Sequence, residues 1–467
     1  MSGSFGSLSF YFLLGLAWLA WACAPARLRP AALGLASLAF VLALGQPLVP
    51  IALILLTLLV WLAGRRSISM GPAWAGAGIL ASAGVLLAVR AALALGTEWG
   101  WVSALGVSYF TLQAIAYLAD LALGVQAEAA PWLDLWLYLA WFPKFAQGPF
   151  ERYGPFQAQV RRSSTGPQAE DLRRGLLLLA WGLFEKMVVA ERMASLAAGA
   201  FGNDGGGTGP RLWAAGYVFA VRLFADSAGY NDMARGASLC FGLGLTNNFN
   251  APFLATSVTD FWRRWHISLS EWVRDYVFSP LQMIWRRWPS GGTVAAMFVA
   301  FTAVGLWHGT GWGYLLMGMF YGLCMGWALL TRRWRKNFWR RLGQENGAGR
   351  RIFDVVVTFH LVCLSFLFFQ AADRAGLAAQ ARAAATGWGP GWLGEFWRGL
   401  SGGKPDGEWR LAWLSVAALG LVHLAGKRTD LLRSPAWLRY PSYAALALAL
   451  VFLGRYFAAT GFLYARF

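Results

Sequence analysis

The chain has 467 residues, of which 58% are hydrophobic and 13% charged, with 27 Trp and 32 Phe. A balance this apolar excludes an ordinary soluble globular domain. The formal charge of +18 does not point to nucleic acid, because the basic residues sit in gaps between apolar runs, the pattern of membrane proteins that hold positive charge on the cytoplasmic face.

Leu8–Ala24 reads as a first, retained span: Ala22-Cys23-Ala24 mimics a cleavage site, but no positive segment precedes it. Met1 to Phe10 carries no charged side chain, so the N-terminus is expected outside. Leu48–Gly64, Trp74–Leu95, Leu176–Ala198, Val294–Val304, Gly311–Leu330 and Ala444–Phe457 are long enough, or nearly so, to cross ~30 Å of hydrocarbon as helices. By this criterion the chain holds roughly ten to thirteen membrane segments. Backbone groups at membrane depth must be paired within their own helix, and these runs do not alternate as barrel strands do, so the expected fold is all-α, a polytopic membrane helix bundle with interfacial helices. Basic gaps, among them residues 331–351, mark cytoplasmic loops, whereas residues 373–409 mix acids with few bases and several Trp and are expected outside, partly in the interface. No repeat of fixed period appears, so one membrane domain over residues 1–467 is the simplest organisation. Cys23, Cys240, Cys324 and Cys363 lack metal or disulfide spacing and read as packing residues; no metal is expected.

The middle third departs from ordinary spans. Asp226 and Gly229-Tyr230-Asn231-Asp232 interrupt an apolar run that begins at Trp213. Acids at such depth face a cavity or a partner; here they either line a functional cavity or pair locally with Arg222 and Arg235. Between Ser257 and Tyr276, Ser257 with Asp260 resembles a helix N-cap, and Trp262, Trp265, His266, Leu269, Val273 and Tyr276 share one helical face. An amphipathic helix at the cytoplasmic interface is expected. A plain anchor accounts for all of these residues except His266, which needs a partner or a cavity.

The chain has four histidines. His360 and His423 have no polar neighbours in sequence and read as packing residues with one hydrogen bond each. His308 lies among Gly305, Gly309 and Gly311, beside Trp307 and Trp312, where small residues let a backbone or ligand approach closely. Basic gaps at Arg286-Arg287 and Arg332-Arg333 put His308 near the turn of a membrane hairpin, whose first leg, Gly292–Leu306, reaches only ~22 Å as helix. A neutral imidazole inside the membrane towards the outer side is tolerable and can act as a general base.

Phe261-Trp262-Arg263-Arg264-Trp265-His266-Ile267-Ser268-Leu269-Ser270 and, with its histidine 42 residues further on, Gly305-Leu306-Trp307-His308-Gly309 resemble the membrane-bound O-acyltransferase family, in the bacterial branch that includes alginate O-acetyltransferases. The upstream segments Gly106–Gln113 with Tyr117 and Asp120, Gly148-Pro149, Trp181–Lys186, Asp226–Ala234 and Asn248–Phe253 match in order. The resemblance covers residues 100–330 as the catalytic core. It departs where Pro280-Leu281 runs into Gln282-Met283-Ile284-Trp285 in place of a Gly-Gly-Asn-Arg turn, and where Phe368-Phe369-Gln370-Ala371 replaces Phe-Phe-Arg-Ala.

The resemblance implies transfer of an acyl group, usually acetyl, from a cytoplasmic thioester to an extracytoplasmic hydroxyl of a polysaccharide or peptidoglycan, through a central tunnel open on both faces of a bacterial inner membrane. It implies no permanently bound cofactor, acetyl-CoA or an acyl-carrier protein as donor, and a periplasmic acetyltransferase partner. His308 would act as base and His266 would orient or polarise the thioester. Gln113, Asp120, Asp226, Tyr230, Asn250 and Trp307 are candidates for the tunnel lining. Tyr464, in Phe462–Phe467, resembles the acyl-accepting Tyr of related systems, although an interfacial anchor explains it as well. D-alanyl transfer from a carrier protein keeps the same fold and histidines; a transporter or channel would use intramembrane acids and glycine breaks differently.

Overall fold

The computed structural model describes residues 5, 7–44, 48–95, 106–201, 207–371, 373–404, 407–425 and 434–456. Its first helices are α1 (Leu8–Cys23), α2 (Arg29–Ala43), α3 (Leu48–Met70), α4 (Ala73–Ala94), α5 (Val107–Ala122), α6 (Trp132–Ala140) and α7 (Tyr153–Ser163). Then come α8 (Ala169–Leu183), a π-helical stretch Phe184–Ala190, α9 (Glu191–Phe201), α10 (Gly209–Leu239), α11 (Val258–Trp262), α12 (Ile267–Val273), α13 (Ser279–Ile284) and α14 (Pro289–His308). The remainder is α15 (Trp312–Leu330), α16 (Arg332–Arg341), α17 (Ala348–Gln370), α18 (Arg374–Ala384), α19 (Trp392–Ser401), α20 (Glu408–Ala425) and α21 (Ala436–Leu453). Among the described residues the one β pairing is an isolated bridge between Phe249 and Trp265.

Among the described residues seven helical segments are long and apolar enough to cross a bilayer: Ala26–Ala43, Val49–Met70, Ala73–Ala92, Ser290–His308, Trp312–Leu330, Ala348–Gln370 and Ala436–Leu453, with α1 a shorter apolar helix. The protein is an all-α polytopic membrane bundle. Leu8, Leu80 and Phe452 are 89%, 74% and 75% exposed, as apolar side chains are where lipid is the solvent. The larger sequence count included runs such as Leu176–Ala198, which is helical but carries Glu185, Lys186, Glu191 and Arg192, all buried.

The chain folds as two compact units: Met1–Met187 with Asp226–Asn247 and Lys427–Phe467, and Val188–Ala225 with Asn248–Gly426. In the first, α8 packs antiparallel on the later half of α10 through glycines. A side chain at Gly182 would come within 2.6 Å of the Gly229 carbonyl, and one at Gly175 within 2.7 Å of the Gly236 carbonyl. Two glycines seven residues apart on each helix let the backbones touch, as small residues do in membrane bundles. That register brings Lys186 onto Asp226, Nζ to Oδ1 2.7 Å, both buried. Asp232 pairs locally with Arg235 at 2.9 Å. The local-pairing expectation therefore holds for Asp232; Asp226 has a further bond to Lys186 from another helix, where the glycine packing brings the two side chains together.

In the second unit α14 and α15 form the expected hairpin. Glycines set its closeness too: a side chain at Gly305 would strike the Tyr314 carbonyl, one at Gly318 the Phe301 carbonyl, and one at Gly322 would approach Phe298 Cα to 2.7 Å. Gly305, one of the glycines near His308, thus serves helix packing. The first leg also differs from expectation, since α14 begins at Pro289 and has 20 residues, or ~30 Å at 1.5 Å per residue, a full crossing. Proline in its first turn, where no intrahelical N–H partner is needed, allows this early start.

The segment expected as one amphipathic helix from Ser257 to Tyr276 is broken. Ser257 does cap α11, its Oγ accepting the Asp260 N–H at 3.0 Å. The helix stops after Trp262, and His266 adopts a left-handed conformation (φ 45°, ψ 55°) before α12 begins.

Candidate functional site

The break in the helix positions His266. Residues 248–250 run antiparallel to 264–267: Asn250 N–H donates to the Arg264 carbonyl at 2.9 Å and Ile267 N–H to the Asn248 carbonyl at 3.1 Å. The Asn248 side chain then accepts the Ser268 N–H at 3.0 Å. Asn248 is therefore the cap of α12, supplied from 20 residues upstream, and it satisfies a first-turn donor that no local residue could reach. A non-glycine residue in the left-handed region costs about 1–2 kcal/mol, and these bonds hold His266 there. The imidazole is buried, and burial, reinforced by the nearby His308, pushes it down to about 3.

His308 is the last residue of α14 and is buried. Its Nδ1 lies 2.7 Å from the Val304 carbonyl. A carbonyl oxygen only accepts, so Nδ1 carries the proton in this contact and Nε2 is the basic nitrogen of the neutral ring. The Trp307 indole neighbours both imidazoles, its centroid 6.4 Å from that of His266 and 4.8 Å from that of His308. Phe369 closes on His308 at 5.7 Å and is itself held edge-on by Tyr314 at 5.2 Å.

His360 and His423 make the same bond to the carbonyl four residues back, at 2.7 and 3.3 Å. His360 is exposed, beside Tyr217 and Phe359; His423 lies against Phe224 at 5.1 Å. Both fit the packing role expected of them. What sets His308 apart is its burial together with a second imidazole. A cavity of about 340 Å³ is lined in part by Ile267, the residue after His266, and by Val304, whose carbonyl bonds His308; neither imidazole lines it.

Of the other candidates, Trp307 belongs to the histidine cluster, while the Asn250 side chain is exposed and Asn248 does the positioning. Gln113, Asp120, Asp226 and Tyr230 belong to the first unit. Gln113 is buried, its Oε1 accepting from Lys144 Nζ, which also donates to the Tyr138 carbonyl at 2.5 Å. Glu151, buried nearby, accepts the Thr246 N–H at 2.7 Å. Burial pushes the Lys144 amine down to about 7, opposed by the charge of Glu151, whose carboxyl burial pushes up. Tyr230 is buried, its hydroxyl donating to the Pro143 carbonyl and accepting the Gln147 N–H, each at 3.2 Å. Asp226 is in the ion pair with Lys186, and Asp120 is half-buried near the end of α5. Tyr464 lies outside the described residues.

Sequence reasoning passed over Asn248, Phe369, Lys144 and Glu151. Asn248 stood in a matching motif, but its contact with residues 267 and 268 depends on tertiary structure. Phe142-Pro143-Lys144 carries no local signal that its lysine is buried.

An all-α, multi-pass membrane protein with two buried imidazoles clustered with a half-buried indole is the class these features define. A profile of the membrane-bound O-acyltransferase (MBOAT) family matches residues 124–370, and the chain belongs to that family. It is 30% identical over 320 residues to the protein named "Probable alginate O-acetylase AlgI" of Pseudomonas aeruginosa, covering 68% of this chain and 58% of that one. It is 29% identical over 298 residues to the peptidoglycan O-acetyltransferase of Helicobacter pylori, covering 57% and 54%. Over 281 residues it is 29% identical to the teichoic acid D-alanyltransferase of Bacillus subtilis, covering 57% and 69%. Against the first two, the chain spans less than two thirds of the relative's own length.

Proposed function

We propose that this protein transfers an acyl group, acetyl in the leading reading, from a cytoplasmic thioester to a hydroxyl of an extracytoplasmic polysaccharide or peptidoglycan. It would do so in a bacterial inner membrane, with its N-terminus outside and a periplasmic acetyltransferase as partner. The observation that carries this reading is the His308 Nδ1 bond to the Val304 carbonyl beside a second buried imidazole. In this mechanism His308 Nε2 takes the proton of the acceptor hydroxyl as its oxygen attacks the thioester carbonyl. The carbon–sulfur bond breaks, and the departing thiolate receives the proton from His308. His266, kept neutral by burial, offers an N–H to the carbonyl oxygen where negative charge develops. Acetyl-CoA is the proposed donor. The relatives, named for alginate, peptidoglycan and teichoic acid, support an envelope polymer as acceptor.

The match to a D-alanyltransferase, which covers a larger share of that relative, favours one second reading: D-alanyl transfer from a carrier-protein thioester, with the same two histidines. Liposomes holding the full chain, loaded with radiolabelled acetyl-CoA or D-alanyl carrier protein and given polysaccharide or peptidoglycan fragments outside, separate the two. Label passing from acetyl-CoA to polymer in wild type but not in His308→Ala is the expected result. Label moving only from the carrier protein shifts the assignment to D-alanyl transfer. Equal behaviour of wild type and variant, with a solute carried across instead, removes the enzymatic reading in favour of a transporter.

A further inference from the structure

Within the first unit, α8 and α21 diverge to leave a groove of about 680 Å³. Its two ends differ in chemistry. Arg173 on α8 and Arg439, Tyr440 and Tyr443 on α21 gather at the end where both helices begin. From there the walls are wholly apolar, formed by Leu176 and Ala180 on one side and Leu446 and Leu450 on the other. Among the described residues no acidic side chain lines the groove. We propose that it holds one anionic phospholipid, with the phosphate between Arg173 and Arg439 and an acyl chain along the apolar walls.

Four observations favour this occupant. Two guanidinium groups at one mouth attract an anion, and lipid headgroups supply that charge at the level where a span begins. Trp437, 76% exposed, and Tyr440 flank Arg439, as aromatic residues do at a membrane interface. The Tyr443 hydroxyl is buried and meets no hydrogen-bond partner among the described residues, so a headgroup or ester oxygen in the groove would satisfy it. Finally, α21 has the length and apolarity of a span, yet none of its residues is buried. A lipid bridging α8 and α21 would add to the limited contacts this helix makes with α8. The occupant is a bound lipid of fixed charge rather than any hydrocarbon, because the polar end is built into the same groove.

The test uses the detergent-purified full chain, incubated with mixed micelles of phosphatidylglycerol or phosphatidylcholine and examined by native mass spectrometry. A phosphatidylglycerol adduct is expected to persist where phosphatidylcholine is stripped. The double change Arg173→Gln, Arg439→Gln should weaken retention by about tenfold or more, each arginine contributing a several-fold share. Arg286→Gln, Arg287→Gln, an equal loss of charge on exposed residues of the second unit, should leave the adduct intact. Ala447→Trp, which fills the apolar half while leaving both arginines, should also displace it, and monodisperse elution with unchanged helicity certifies each variant as folded. Equal retention of the two lipids, wild-type retention by the arginine double variant, or displacement by glycerol 3-phosphate as readily as by lipid would each overturn the proposal.

Discussion

Asn248 caps a helix to which it does not belong: its Oδ1 accepts the Ser268 N–H at 3.0 Å, while its own carbonyl accepts the Ile267 N–H. The two bonds bracket the start of α12 immediately after His266, whose left-handed backbone has no reason to persist without them. Asn248→Ala is expected to cost about 1 kcal/mol of stability, the usual loss for a cap, but to reduce acyl transfer by more than that small destabilisation explains. Steady-state transfer measured beside thermal unfolding of the same preparation checks this; activity falling only in proportion to folded protein would make Asn248 purely structural.

His308 and His360 make the same bond to a carbonyl one turn back, but only His308 is buried with a second imidazole. His308→Gln should lower transfer by about 100- to 10,000-fold, the range of a lost general base, whereas His360→Gln should leave it within about twofold of wild type. A labelled acyl-transfer assay on matched amounts of each variant decides between this and a packing role common to both.

The buried pair Lys186–Asp226 predicts an asymmetry between single and double changes. Lys186→Met alone leaves a buried carboxylate and should destabilise by about 3–5 kcal/mol. Lys186→Met with Asp226→Leu removes both charges from between helices already fitted by their glycines, and should recover most of that loss. Unfolding midpoints of the two variants in one detergent measure the difference.

Burial holds His266 at about 3 in the folded protein, against about 6.5 when unfolded. Between these values the unfolded chain binds the extra proton, so stability falls as pH drops below about 6.5 and goes on falling towards 3, by up to about 1.4 kcal/mol per pH unit from this group. His266→Gln should flatten the acid limb of a melting-temperature profile by that amount without changing it above pH 7.

The bundle and the hairpin that ends in His308 were legible because apolar length and the placement of arginines report them directly. Charge next to charge in sequence also foretold Asp232 with Arg235. The bond of Asp226 to Lys186 was not legible, since Lys186 reaches it only through glycine packing between separate helices. Nor was the break at His266: Trp262, Trp265, Leu269 and Val273 keep helical spacing straight through it, and Asn248 decides against that spacing from outside the window. Phe369 was visible only as part of a departure from a family pattern, with nothing local to aim it at an imidazole.

The separation of these residues along the chain also orders how the protein is made. Asn248, His266 and Ser268 leave the ribosome within a stretch of about 20 residues, so the bend that holds His266 can set while its surroundings are still being synthesised. Phe369 lies 61 residues after His308, a delay of roughly 3–12 s at ordinary rates of translation. Once Leu330 has followed, 39 residues before Phe369, the hairpin of α14 and α15 is complete but the wall against His308 is missing. The newborn chain therefore passes through a stage in which His308 lacks the Phe369 ring that α17 later packs against it.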